Sequence, residues 1–131
     1  MDKDEFQAKF IFYMMCKGIE EVAAVDEEMK EEVEEYEAKI QWNIGENIKG
    51  YQIFDAGKYS FAVDDVLEDP DVTMTIPDVN NAKLFFTGKL DPTGAYMSGD
   101  LTIEGNLQLI MEYSGVAELL QEFLEPLTGS I

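Results

Sequence analysis

At Lys39 the spacing of apolar residues drops from three-and-four to two, and no other feature constrains the fold as tightly. After it, Ile40, Trp42 and Ile44 alternate with Gln41 and Asn43, and Tyr51 and Ile53 lead into a turn at Asp55-Ala-Gly-Lys58. Tyr59, Phe61 and Val63 then alternate with Ser60, Ala62 and Asp64, and Val72, Met74 and Ile76 with Thr73 and Thr75. Four half-buried strands joined by short connections predict an antiparallel meander, whose single apolar face must be covered by helices. Glu68-Asp-Pro-Asp71 supplies the bend into the fourth strand, with Pro70 presetting its backbone.

The covering helices are legible on both sides of these strands. Phe6, Phe10, Tyr13 and Met14 keep helical spacing on one face of the first segment, and Ala8, Ile11, Met15, Ile19 and Val22 keep it on the next. A helix apolar over more than half its surface is buried or held against a partner or ligand. Gly18 is placed to interrupt it. From Asp26 to Glu37 a narrow stripe of Met29, Val33 and Tyr36 lies under a dense carboxylate face, which is the pattern of a solvated helix. Asp78 caps a short helix with Ala82, Phe85 and Phe86 on its apolar side and Gly88 at its end. A loop, a fifth strand at Asp100-Leu-Thr-Ile-Glu104, and a final helix from Asn106 complete the chain. That helix carries Leu107, Ile110, Met111 and Ser114 on one side, then Val116, Leu119, Leu120 and Phe123, and Pro126 and Gly129 are placed to stop it. The expected class is therefore α+β: a five-stranded, mainly antiparallel sheet with helices on one face. One domain over 1–131 is expected, with a helical segment at 1–37 and a core at 38–131. A ligand site belongs between the layers, and the stretch from Leu84 to Asn106 reads as its wall.

Composition excludes several partners. The net charge is −19, from 28 carboxylates against nine lysines, and such a surface repels polyanions. Nucleic-acid binding needs clustered cations to displace counterions from phosphates, and none are clustered here. Anionic membranes are disfavoured on the same ground, so contact with lipid surfaces is at most transient.

The chain has no histidine and no arginine. It thereby lacks the usual general base near neutral pH, the usual zinc ligand and the planar fork that grips phosphates and carboxylates. Cys16 stands alone in an apolar stretch, the setting of a packed thiol, so no intrachain disulfide can form. Adjacent carboxylates at Asp64 and Asp65 point to opposite faces of a strand and do not converge on a substrate. Asp64, Asp65, Asp69 and Asp71 lack the ligand order of a calcium loop. Neither a catalytic residue, a metal site nor a cofactor is expected. The acidic start, Met1-Asp-Lys-Asp-Glu, matches no signal peptide, and Leu127-Thr-Gly-Ser-Ile131 is no peroxisomal address, so a cytoplasmic location is expected.

Four segments in order resemble the sterol carrier protein 2 (SCP-2) family. They are Phe54-Asp-Ala-Gly-Lys-Tyr-Ser-Phe61, Asp69-Pro-Asp-Val-Thr-Met-Thr-Ile76, Gly88-Lys-Leu-Asp-Pro92 and Ala95-Tyr-Met-Ser-Gly-Asp-Leu-Thr-Ile-Glu-Gly-Asn106. The resemblance runs from about Trp42 to Met111, and the first forty residues depart from it. It implies an apolar tunnel that accepts sterols, fatty acids, acyl-CoA or phospholipids with low selectivity, and lipid binding and transfer with no chemical step. It implies a lining from Leu84, Phe85 and Phe86 of the middle helix, Tyr96 and Met97 of the Met-bearing loop, and Leu107, Ile110 and Met111 of the final helix. Trp42, Phe61, Met74, Leu101, Ile103, Leu120 and Phe123, on apolar faces of the strands and last helix, complete the candidate set. Each of these residues serves equally well as solid core. The expected partner is an apolar small molecule or lipid, and the alternative is a non-catalytic interaction module that dimerises through the N-terminal helix.

Overall fold

The computed structural model describes residues 1–128, with the side chains at 126 and 128 left aside. Helices α1 (Lys3–Val25) and α2 (Glu27–Glu35) precede strands β1 (Ala38–Ile44), β2 (Ile48–Asp55), β3 (Lys58–Val63) and β4 (Val72–Ile76). Helices α3 (Val79–Phe86) and α4 (Pro92–Ser98), strand β5 (Thr102–Gly105) and helix α5 (Leu107–Thr128) follow.

α1 starts in a capping box, where the Asp2 carboxylate accepts from Glu5 N–H and the Glu5 side chain bonds back to Asp2 N–H. Asp26 both ends α1, donating its N–H to the Val22 carbonyl, and caps α2, accepting from Met29 N–H at 2.9 Å. Gly18 does not interrupt α1. A Cβ there would sit 3.0 Å from Leu120 Cδ1, so the missing side chain lets α5 cross closely.

The sheet order is β3-β2-β1-β4-β5. β1, β2 and β3 form the expected meander, but β4 pairs with β1 in parallel, Trp42 lying opposite Met74. The meander thus stops at three strands, and the sheet is mixed. To reach β4 from the edge strand β3, residues 64–71 cross the outer face of the sheet. Gln41 is buried beneath that crossing, its Oε1 accepting from Leu67 N–H at 2.8 Å. The apolar pair Tyr51 and Ile53 is also one residue out of frame with the buried face of β2. Register places Ile48, Gly50, Gln52 and Phe54 on the helix side with Ile44, Trp42, Ile40 and Ala38, and puts Tyr51 and Ile53 outside. A glycine and a glutamine at inward positions hid this, because a period-two pattern shifted by one residue exchanges the two faces.

The core lies between the helix side of the sheet and the buried faces of α1, α2, α3 and α5, with Trp42, Phe12, Phe54 and Met29 among its largest fully buried side chains. Gly50 is a socket in it: a Cβ there would meet the Phe12 ring at 2.5 Å and the Ala62 carbonyl oxygen at 2.8 Å. The expected loop after α3 contains α4, capped by the Asp91 carboxylate on Gly94 N–H, with Pro92 in its first turn. α5 runs through position 126 to Thr128, and Gly129 lies outside the described residues.

Candidate functional site

Trp42 is the hub of the interior. Its ring centroid lies 6.1 Å from Phe12, 6.0 Å from Phe85, 5.2 Å from Phe86 and 6.3 Å from Tyr113. Its indole N–H donates to Gln52 Oε1 at 2.9 Å, and the Tyr113 hydroxyl donates to the same oxygen at 3.2 Å. Gln52 Nε2 donates to the Tyr59 hydroxyl at 3.0 Å, which donates onward to the Cys16 carbonyl at 2.9 Å. One buried glutamine therefore satisfies an indole and two phenols, as buried polar groups require. Burial pushes the Tyr113, Tyr59 and Cys16 acids well above their ordinary range, so all three stay neutral and protonated.

Next to this hub, between α5, α3 and strands β1 and β4, is a cavity of about 690 Å³. That volume lies within the range of roughly 300–1,000 Å³ common for small-molecule sites. Its inner wall is Met15, Trp42, Met74, Phe86, Tyr113 and Leu120. Its outer part is formed by Phe85, by residues 88–92 between α3 and α4, and by Ile110, Ser114, Ala117, Glu118 and Gln121 of α5. The end of α3 is fixed by Gly88 at φ +75°, where Gly88 N–H bonds to the Phe85 carbonyl and Lys89 N–H to that of Leu84. Gln121 Nε2 donates to the Phe86 carbonyl at 3.0 Å, so α5 is tied to this same turn. The inner wall offers an apolar body thioethers, aromatic rings and alkyl groups to pack against.

Six of the candidate residues, Trp42, Met74, Phe85, Phe86, Ile110 and Leu120, come together on this cavity. The others do not lie along it. Leu101 is buried in the core, Ile103 and Phe61 pack against the core from the two edge strands of the sheet, and Leu84 and Tyr96 are exposed. Met97 is 82% exposed on α4 and Met111 65% exposed on α5, with Leu107 and Phe123 also on the outer surface of α5. α5 buries Tyr113 together with Val116 and Leu120, two residues the sequence pattern includes, while Leu107, Met111 and Phe123 of that pattern face outward. Met15, Tyr113 and Ala117 were missed; Tyr113 stands three residues before Val116 and seven before Leu120, which was the available signal.

A second surface lies outside this cavity. Phe6, Phe10 and Tyr13 stack along the exposed side of α1 with centroids 6.0 and 6.3 Å apart, and Tyr13 meets Phe61 of the edge strand β3 at 5.9 Å. Phe12, by contrast, is wholly buried. Asp64 pairs with Lys9 beside this strip, and Asp71 accepts from Lys39 N–H at 2.9 Å. Among the described residues no group of three or more acidic or cysteine side chains gathers as a metal site, and no helix is long and apolar enough to cross a membrane.

Residues 19–118 match the model of the SCP-2 sterol transfer family. The chain belongs to that family. Lipid binding and transfer is the general activity for which the family is described. The fold of this SCP-2 domain superposes on sterol carrier protein 2 from Yarrowia lipolytica, apo form, with a TM-score of 0.66 at 17% identity, covering 85% of this chain and 89% of that one. It superposes on sterol carrier protein domain 2 of Helicoverpa armigera with a TM-score of 0.63 at 24% identity, covering 93% and 94%. A third similar structure is the UbiJ-SCP2 ubiquinone synthesis protein, with a TM-score of 0.57 at 17% identity, covering 94% and 97%. The domain also matches the stereoselective inverting sec-alkylsulfatase from Pseudomonas sp. (TM-score 0.56, 16% identity, 72% of this chain), spanning 17% of that enzyme's length. No curated protein matches the sequence.

Proposed function

We propose that this SCP-2 domain binds an apolar small molecule or lipid tail in the cavity beside Trp42 and carries it without a chemical step. The observation that supports this most is the wall itself: aromatic and thioether groups from β1, β4, α1, α3 and α5 surround about 690 Å³ of space. A tail of about fifteen methylenes gains about 12 kcal/mol on burial, which an association cost of about 4 kcal/mol reduces to micromolar affinity. Ala117 lines the cavity from α5. Ala117→Phe is therefore expected to weaken binding of Nile red, a neutral apolar dye, by at least tenfold, by about 1.4 kcal/mol or more. The melting temperature should stay near that of the parent. Unchanged dye affinity, together with no lipid in an organic extract of gently purified protein, would count against the reading.

The aromatic strip on α1 supports a second reading, in which the domain pairs with a second copy of itself. β3 is an open sheet edge, and antiparallel pairing of two β3 strands would bring the two Phe6–Phe10–Tyr13 strips together. Two chains of charge −19 repel, so the dimer should strengthen with added salt. Light scattering is expected to show a dimer that Phe10→Asp dissociates; a monomer at all salt concentrations excludes this reading. Phe12→Asp is unsuited to the test because it buries a carboxylate in the core.

A further inference from the structure

The rim and the inner wall of the cavity differ in charge, and both act against an anion. On the rim Lys89 is the single cation among the lining residues, against the two carboxylates of Asp91 and Glu118. All three are exposed, on the link before α4 and on α5, so a group held at the mouth faces them. The whole chain adds a field of net charge −19.

Inside, no donor stands ready for a carboxylate. The Tyr113 hydroxyl has one proton, and it goes to Gln52 Oε1; the Trp42 N–H goes to that same oxygen. Gln52 Nε2 turns away from the cavity wall toward Tyr59. An anion placed against this wall would lose its water and gain no partner, which is the most costly form of burial. The neighbouring Cys16 and Tyr113 acids, held neutral by burial, report the same intolerance of negative charge.

We infer that the cavity selects uncharged amphiphiles, such as long-chain alcohols, esters and other neutral lipids, and discriminates against free fatty acids and acyl-CoA. A neutral head at the mouth keeps its hydration and meets no repulsion, whereas a carboxylate meets Asp91 and Glu118 and a CoA head carries several more charges to the same place. This inference rests on the cavity being the ligand chamber.

The test compares oleyl alcohol, oleate and oleoyl-CoA as competitors of Nile red, at submicellar concentrations, with one tail length throughout. At about pH 8, where oleate is ionised, the alcohol should displace the dye at about a tenth of the oleate concentration, and oleoyl-CoA should be weaker still. Asp91→Asn with Glu118→Gln should bring oleate to within about threefold of the alcohol, and about 0.5 M salt should narrow the gap in the parent. Asparagine caps a helix as aspartate does, so α4 keeps its start in this variant. Equal displacement by alcohol and oleate overturns the selection while leaving the chamber intact. A gap that survives both the variant and the salt removes the rim as its cause and overturns the inference as argued. Nile red binding with no displacement by any of the three also overturns it, and no binding of dye or alcohol sinks the chamber itself.

Discussion

Raising the pH is expected to erode stability from about pH 8.5 and to unfold the protein cooperatively between about pH 10.5 and 12. Cys16, Tyr59 and Tyr113 are kept protonated mainly by burial, and Tyr36 shifts the same way, through burial and then the nearby Glu112 and Asp71 carboxylates. In the unfolded chain the thiol ionises near about pH 8.5 and the phenols near about pH 10. The folded acids are raised, so their contribution is complete below those values and is lost as pH climbs past them, because only the unfolded state releases the protons. With four such groups the slope well above about pH 10 approaches about 5 kcal/mol per pH unit, enough to cancel a typical stability of roughly 5–15 kcal/mol within a few units. Circular dichroism and tyrosinate absorbance followed together across this range provide the check. Both signals should move in one step for the buried tyrosines; six tyrosines ionising smoothly while the fold persists would contradict the buried network.

Gln52→Leu should cost roughly 3–5 kcal/mol, measured by urea unfolding, although leucine is close in size and more apolar. The amide is wholly buried and accepts from Trp42 and Tyr113 while donating to Tyr59. Removing it leaves the indole N–H without an acceptor and the Tyr113 hydroxyl with only the weakly accepting Met15 sulfur at 3.9 Å, and an orphaned buried donor costs about 1–3 kcal/mol. Tyr113→Phe supplies the comparison, since it deletes a donor and leaves no comparable orphan, and should cost about 1 kcal/mol or less. A Gln52→Leu protein as stable as its parent would mean that the network contributes nothing net.

The α+β class, the five strands and every helix but α4, which read as a loop, were legible because burial on one face writes its period into the sequence, as at Ile40-Trp42-Ile44 and Val72-Met74-Ile76. The parallel neighbour of β1 was not, since which strand lies beside which depends on where the 64–71 connection passes, and its apolar content is only Val66 and Leu67. The inward face of β2 was hidden by Gly50 and Gln52, residues chosen by Phe12 and by Trp42 and Tyr113 across the core. The candidate site divides similarly. Trp42, Met74, Phe85 and Phe86 sit on short elements whose apolar side is unambiguous, and they reach the cavity. On α5 the apolar surface is wider than one face, so its spacing does not single out Tyr113, with its polar tip, over the exposed Met111.

The Gly50 socket has a consequence for α1. With the Phe12 ring seated against the bare backbone of β2, the helix is keyed both axially and in rotation, because a turn of about 100° would carry that ring into water. The outer aromatics Phe6, Phe10 and Tyr13 are therefore held in solvent by the position of a residue on the opposite side of the same helix. No rolling of α1 within an intact fold can shelter them.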